Sequence, residues 1–166
     1  LTLQDSVVEE YDLSALSRLY YGSSPMAVKW IRRTMEAFPN ANIQQGYGLT
    51  ETSPILTTLD EDIHIHAMET GEHDILKAAG RPLVGIDMRI VDADGKEVPT
   101  GEGGEVVVRG PNVTAGYLKK PEENEEAFRD GWFHTGDVGK MDENGFMYLL
   151  DRKKDVIITG GENVYS

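Results

Sequence analysis

Residues 19–48 read LYYGSSPMAVKWIRRTMEAFPNANIQQGYG, and this stretch decides the fold class. The apolar run before it ends in Leu19-Tyr20-Tyr21 and reads as a buried strand. Gly22-Ser23-Ser24-Pro25 then supplies a turn. Ser24 suits a helix N-cap, and Pro25 suits the first helical position, where its missing N–H costs nothing. The helix extends to Phe38, with Trp30, Ile31, Met35 and Phe38 on one face, and Pro39-Asn40 stops it. A short strand over 41–45 leads into Gly46-Tyr47-Gly48. Strand, helix, strand implies an α/β unit with a parallel sheet, because parallel neighbours need a crossover between them.

Residues 52–73 form a polar connection without clear periodicity. From residue 79 short alternating strands take over, at 87–91, 104–109 and 146–150. Asp94-Gly95, Gly101 and Asn144-Gly145 separate them as turns. This pattern predicts a small distorted β-barrel. One helix interrupts it, opened by Pro121, with acidic residues suiting its positive N-terminal end, and closed by Asp130-Gly131. The expected division is 1–74, the end of a parallel-sheet α/β subdomain; 75–151, the barrel-like subdomain; and 152–166, a separate segment that opens with the basic Arg152-Lys153-Lys154 run. The chain starts at Leu1 rather than Met and stops at Tyr165-Ser166, so it reads as an internal fragment cut at both ends.

Composition narrows the classes of partner. A net charge of -13 and a pI near 4.6 oppose binding to the nucleic-acid backbone or to anionic lipid. There is no cysteine, hence no disulfide, no thiolate zinc site and no thiol nucleophile, which fits a cytoplasmic setting. No apolar run approaches the ~18 residues of a transmembrane segment.

Three motifs carry chemistry. Gly46-Tyr47-Gly48-Leu49-Thr50-Glu51-Thr52 follows a strand, where open α/β sheets place ligands. Its glycines permit close backbone approach, its tyrosine offers a flat face, and its hydroxyl and carboxylate suit a phosphate oxygen and a magnesium ion. A plain turn with a half-buried tyrosine is the competing reading. Trp132-Phe133-His134-Thr135-Gly136-Asp137 places a carboxylate after a turn, either for a ribose diol or for capping its own backbone. Asp151-Arg152-Lys153-Lys154-Asp155, with Gly160-Gly161 behind it, suits either a nucleotide or a solvated joint. His64, His66 and His73 with Glu69 read as a solvated loop rather than a metal site. The stretches 92–95 and 142–145 lack the later ligands of a calcium loop and read as hairpin turns. No serine–histidine–acid triad assembles.

In this order the three motifs, joined by Gly104-Glu105-Val106-Val107-Val108-Arg109-Gly110 and Gly116-Tyr117, resemble the adenylate-forming superfamily. That superfamily comprises acyl-CoA synthetases, firefly luciferase and peptide synthetase adenylation domains. The resemblance spans about residue 19 to residue 166 and is nearest to fatty-acyl or aryl-CoA synthetases. It implies a loop along adenine at Gly22, Ser23, Ser24 and Pro25, and stacking on adenine by Tyr47. It implies AMP-phosphate binding by Thr50 and magnesium binding by Glu51. Asp137 and Arg152 would hold the ribose. Lys154 falls at the hinge, where many acyl-CoA synthetases carry aspartate. Gly46 would floor the acyl pocket, and Gly160 and Gly161 would line the pantetheine passage.

The implied substrates are ATP, a fatty or aryl carboxylic acid and coenzyme A, in an enzyme of fatty acid metabolism. Segment 152–166 becomes the hinge and the first residues of a C-terminal lid. The family's phosphate loop is expected upstream of Leu1 and its lid lysine downstream of Ser166, so the piece alone is expected to be inactive. A peptide synthetase-type adenylation domain is the alternative enzyme. A non-catalytic nucleotide-binding or self-associating module, a homo-oligomer included, is the alternative for the piece in isolation.

Overall fold

The computed structural model describes residues 10–23, 26–152, 157–159 and 162–164. Strand β1 (Arg18–Gly22) runs parallel to β2 (Asn42–Tyr47), and helix α1 (Val28–Ala37) crosses between them. The α/β unit is therefore present. It differs in detail from the expectation. Pairing with β2 alone among the described residues leaves β1 an edge, with Tyr20 half exposed rather than buried. On α1 the buried positions are Ile31 and Thr34, and Thr34 satisfies its hydroxyl by donating to the Trp30 carbonyl at 2.8 Å. Trp30 stays partly exposed beside Lys29 and Arg33, both within cation–π range of its ring. Strand β2 also runs further than 41–45 and takes in Gly46 and Tyr47.

The polar connection expected over 52–73, with the two residues before it, folds. It forms a 3-10 turn (Thr50–Thr52), strand β3 (Thr57–Leu59) and helix α2 (Glu61–Thr70). Strand β3 pairs antiparallel with β2 and with β4 (Arg81–Pro82), completing sheet order β1-β2-β3-β4. Helix α2 escapes periodicity because one of its two buried side chains is His64, a polar residue.

The second sheet is antiparallel and curled into a half-barrel. It contains β5 (Asp87–Val91), β6 (Gly104–Arg109), β7 (Phe128–Arg129), β8 (Trp132–Met141) and β9 (Met147–Arg152). Register shifts at Glu105/Val107 and at Val138/Gly139 bend it. Helix α3 (Pro121–Ala127) precedes β7, so Asp130-Gly131 is the tip of the β7–β8 hairpin and not a helix end. Both positions have positive φ, as a two-residue hairpin turn demands. The expected turns at 92–95 and 142–145 are present. In each, the first aspartate accepts two backbone N–H groups through its side chain. A final hairpin joins β10 (Ile157–Thr159) to β11 (Glu162–Val164).

The two sheets meet at Gly80. Met147 N–H donates to the Gly80 carbonyl at 2.8 Å, and Ala79 N–H donates to Met147 at 2.7 Å. Gly80 has φ +104, and a Cβ there would lie 2.0 Å from the Thr58 carbonyl, so glycine is required. One apolar core, with Leu56, Val106, Val108 and Phe133, spans this joint; another, with Ile31, Ile43, Leu59 and Ala67, lies under the helices. Among the described residues no helix is long and apolar enough to cross a membrane.

Candidate functional site

The predicted residues gather at the carboxyl ends of β1 and β2. Gly22 lies directly opposite Gly46 in the parallel ladder, so the Gly22-Ser23 end of β1 runs beside Gly46-Tyr47. Ser23 turns away with φ +65. Behind this loop the Tyr21 hydroxyl and His64 Nε2 lie 2.8 Å apart, and His64 Nδ1 is 2.8 Å from the Asp60 carbonyl. A carbonyl only accepts, so Nδ1 carries the proton and Nε2 accepts from Tyr21. Burial lowers the His64 pKa and pushes the Tyr21 phenol up, which keeps both neutral. His64, read from sequence as solvated, is thus a fully buried strut between α2 and β1. Among the described residues no group of three or more His, Asp or Glu side chains forms a metal site.

Tyr47 leaves β2 buried and donates its hydroxyl to Asp137 Oδ2 at 2.8 Å. Asp137 sits on β8, almost fully buried, and its N–H donates to the Thr135 hydroxyl at 3.1 Å. Across the β8–β9 ladder Arg152 stands opposite Asp137. A hydrogen bond therefore joins Tyr47 to Asp137, and strand register sets Arg152 opposite Asp137, although the three lie on separate stretches of sequence. Thr50 is exposed on the 3-10 turn, and Glu51 beside it is half-buried. Ser24, Pro25, Lys154, Gly160 and Gly161 lie outside the described residues.

Sequence reasoning quoted Gly116-Tyr117 without a role. Tyr117 donates its hydroxyl to Glu51 Oε1 at 2.9 Å. Burial first, and the Glu51 contact next, raise the phenol's pKa, so it stays a donor. The same loop donates from Thr114 N–H to the Glu51 carbonyl at 2.7 Å and from the Asn112 amide to the Thr52 carbonyl at 2.6 Å. The loop after β6 thus holds the 3-10 turn in place. Beyond Tyr117 lies a cavity of about 710 Å³. Among its charged lining residues Lys120 pairs with Glu123, and Arg129 and His134 pair with Glu105, whereas Glu126 forms no ion pair among the described residues.

Glu51 forms no ion pair among the described residues. A lone carboxylate beside an exposed hydroxyl fits magnesium, which is held through one or two carboxylates plus substrate phosphates rather than by an all-protein cage.

A family profile described as AMP-binding enzyme matches residues 2–118. The chain belongs to the AMP-binding enzyme family. Within that family it is 42% identical over 154 residues to a feruloyl-CoA synthase from Amycolatopsis, covering 93% of this chain and 29% of the relative. Among solved structures it resembles the amide bond synthetase McbA of Marinactinospora thermotolerans, with TM-score 0.83, 35% identity, and coverage of 99% of this chain and 32% of that one. It also resembles the O-succinylbenzoate coenzyme A synthetase of Bacillus subtilis in complex with ATP and magnesium ion. There the TM-score is 0.80 and the identity 34%, covering 98% of this chain and 32% of that one. The chain therefore spans less than a third of the length of these relatives. The resemblance to adenylate-forming enzymes and the α/β-plus-half-barrel fold are both correct.

Proposed function

We propose that this chain supplies the adenine, ribose and magnesium contacts of an ATP-dependent acyl-CoA synthetase acting on a fatty or aryl carboxylic acid. The observation that carries this reading is the convergence of Gly22-Ser23, Tyr47, Thr50-Glu51 and Asp137 at one sheet end, with Arg152 opposite Asp137. In this reading the Tyr47 ring stacks on adenine and Asp137 accepts from both ribose hydroxyls. Thr50 donates to the AMP phosphate. Glu51 holds magnesium, whose charge would offset that of the phosphates. Gly46 floors the acyl pocket. Of the residues outside the description, Ser24 and Pro25 extend the adenine loop, Lys154 is the hinge, and Gly160 and Gly161 line the thiol's passage. The domain boundaries follow: 1–74 nucleotide-binding, 75–151 barrel-like, 152–166 the start of the lid.

The chemistry suits such a site. A carboxylate oxygen attacks the α-phosphorus of ATP, the α–β bridging P–O bond breaks, and pyrophosphate leaves. The coenzyme A thiol then attacks the acyl carbonyl, loses its proton and expels AMP. Positioning and charge neutralisation supply most of the catalysis at the phosphates. A cytoplasmic setting is part of the same reading, supported by the lack of cysteine. The likeness to an amide bond synthetase supports a second reading, in which an amine replaces the thiol as acceptor.

The test is pyrophosphate exchange by the full-length protein over a panel of acids, with and without Asp137→Ala. Removing the ribose acceptor should raise the KM for ATP by roughly 10-fold or more, as expected when a charged hydrogen-bond acceptor is lost. Unchanged kinetics would take Asp137 out of the site, and silence toward every acid would end the ligase reading. The 166-residue piece alone should show no exchange.

A further inference from the structure

We propose that Tyr117 is a positioning residue for the metal-binding carboxylate. By occupying Glu51 Oε1 it leaves Oε2 as the single oxygen presented to magnesium. The inference rests on the assignment of Glu51 to magnesium made above.

The Tyr117 hydroxyl donates to Glu51 Oε1 at 2.9 Å, from a residue 66 positions away in sequence. A hydrogen bond of this kind fixes the carboxylate's rotation about its terminal torsion, which is otherwise broad. Magnesium demands near-ideal octahedral geometry and favours one oxygen per carboxylate, so a carboxylate held in this way arrives preorganised.

The tyrosine is itself held at three points. Its N–H donates to Asn124 Oδ1 at 2.6 Å, and its carbonyl accepts from Asn124 Nδ2 at 2.8 Å. Its ring meets Phe128 edge-on at 6.5 Å between centroids, and Phe128 in turn packs on Phe133 at 5.1 Å. Gly116, at φ +138, lets Asn124 close in, since a Cβ there would lie 2.9 Å from its Oδ1. Nothing in this anchoring uses the hydroxyl. Among the described residues the hydroxyl bonds to Glu51 alone, and the remainder of the residue holds without it.

That separation makes the test selective. Tyr117→Phe keeps the ring and both main-chain bonds and removes only the hydroxyl. The experiment uses the full-length protein and Mn2+ as the probe, its affinity read in the presence of ATP by water-proton relaxation, alongside thermal unfolding. Tyr117→Phe should weaken Mn2+ binding by roughly 10- to 100-fold, the range seen on removing a partner of a metal ligand, with the unfolding midpoint lowered only slightly, because solvent reaches half-buried Glu51 and can replace the donor. The KM for the acid should not move. Glu51→Gln should weaken Mn2+ binding further, and adding Tyr117→Phe to it should then cost nothing more.

Wild-type Mn2+ affinity in Tyr117→Phe, with affinity lost in Glu51→Gln, would overturn the positioning role and leave Glu51 in place. Unchanged affinity in both variants would remove Glu51 as well. A full Tyr117→Phe effect in the Glu51→Gln background would also overturn the proposal, because the hydroxyl would then be acting elsewhere.

Discussion

Tyr47→Phe is the sharpest perturbation of the proposed nucleotide site. The ring remains for stacking and only the hydroxyl on Asp137 Oδ2 is lost. Asp137 is 4% exposed, so water cannot readily replace that donor. A hydrogen bond to a charged group contributes about 1.5–3 kcal/mol, which is the expected loss of stability without nucleotide. With AMP bound, a ribose hydroxyl can donate to Asp137 in place of the tyrosine, and part of the loss should be recovered. The stabilisation conferred by AMP should therefore be larger in Tyr47→Phe than in the parent, by roughly 1 kcal/mol or more. The assay is denaturant unfolding of the full-length protein with and without saturating AMP. Equal losses in both conditions would refute the reasoning. The Tyr47 hydroxyl and the ribose would then not share Asp137.

Two further predictions concern the scaffold under the site. Burial lowers the His64 pKa, so the unfolded chain binds a proton there more readily than the folded one. The stability that neutral His64 contributes is complete above about pH 6.5, the unfolded value, and declines as pH falls below it toward the depressed folded value. Unfolding midpoints over pH 4–8 should show this decline, and His64→Gln should remove its share. Gly80→Ala should cost roughly 2–6 kcal/mol, combining about 1–3 for a strained positive φ with about 1–3 for displacing the Thr58 backbone. Equilibrium unfolding measures it, and a loss under about 1 kcal/mol would mean the sheets part easily at this joint.

Much of the proposed site could be drawn from the sequence because its candidate residues come in short, ordered runs. Gly46 to Thr52 could be read as a strand end carrying a hydroxyl and a carboxylate, and Trp132 to Asp137 as a turn carrying a second carboxylate, which the structure places instead within strand β8. The hairpin turns were legible for a local reason as well, since aspartate and glycine write a turn within four residues. Helix α2 was not legible. Its buried face depends on His64, whose burial is tolerated only because Tyr21 and the Asp60 carbonyl satisfy both ring nitrogens. An apolar composition does not tell an edge from a centre, and β1, read as buried, is an edge among the described residues.

The sequence by itself determined the strand–helix–strand unit, the turns and the candidate residues of the proposed nucleotide site. These follow from periodicity, capping and turn chemistry, all of which act over a few residues. The tertiary structure alone decided which of those residues meet. Tyr47 reaches Asp137 across 90 positions, Arg152 comes opposite Asp137 through the β8–β9 register, and Tyr117 reaches Glu51 across 66 positions. Such contacts are set by how two sheets join at Gly80 and how one loop wraps a 3-10 turn. No local pattern records them, because the free energy that selects them is shared over the whole packed core.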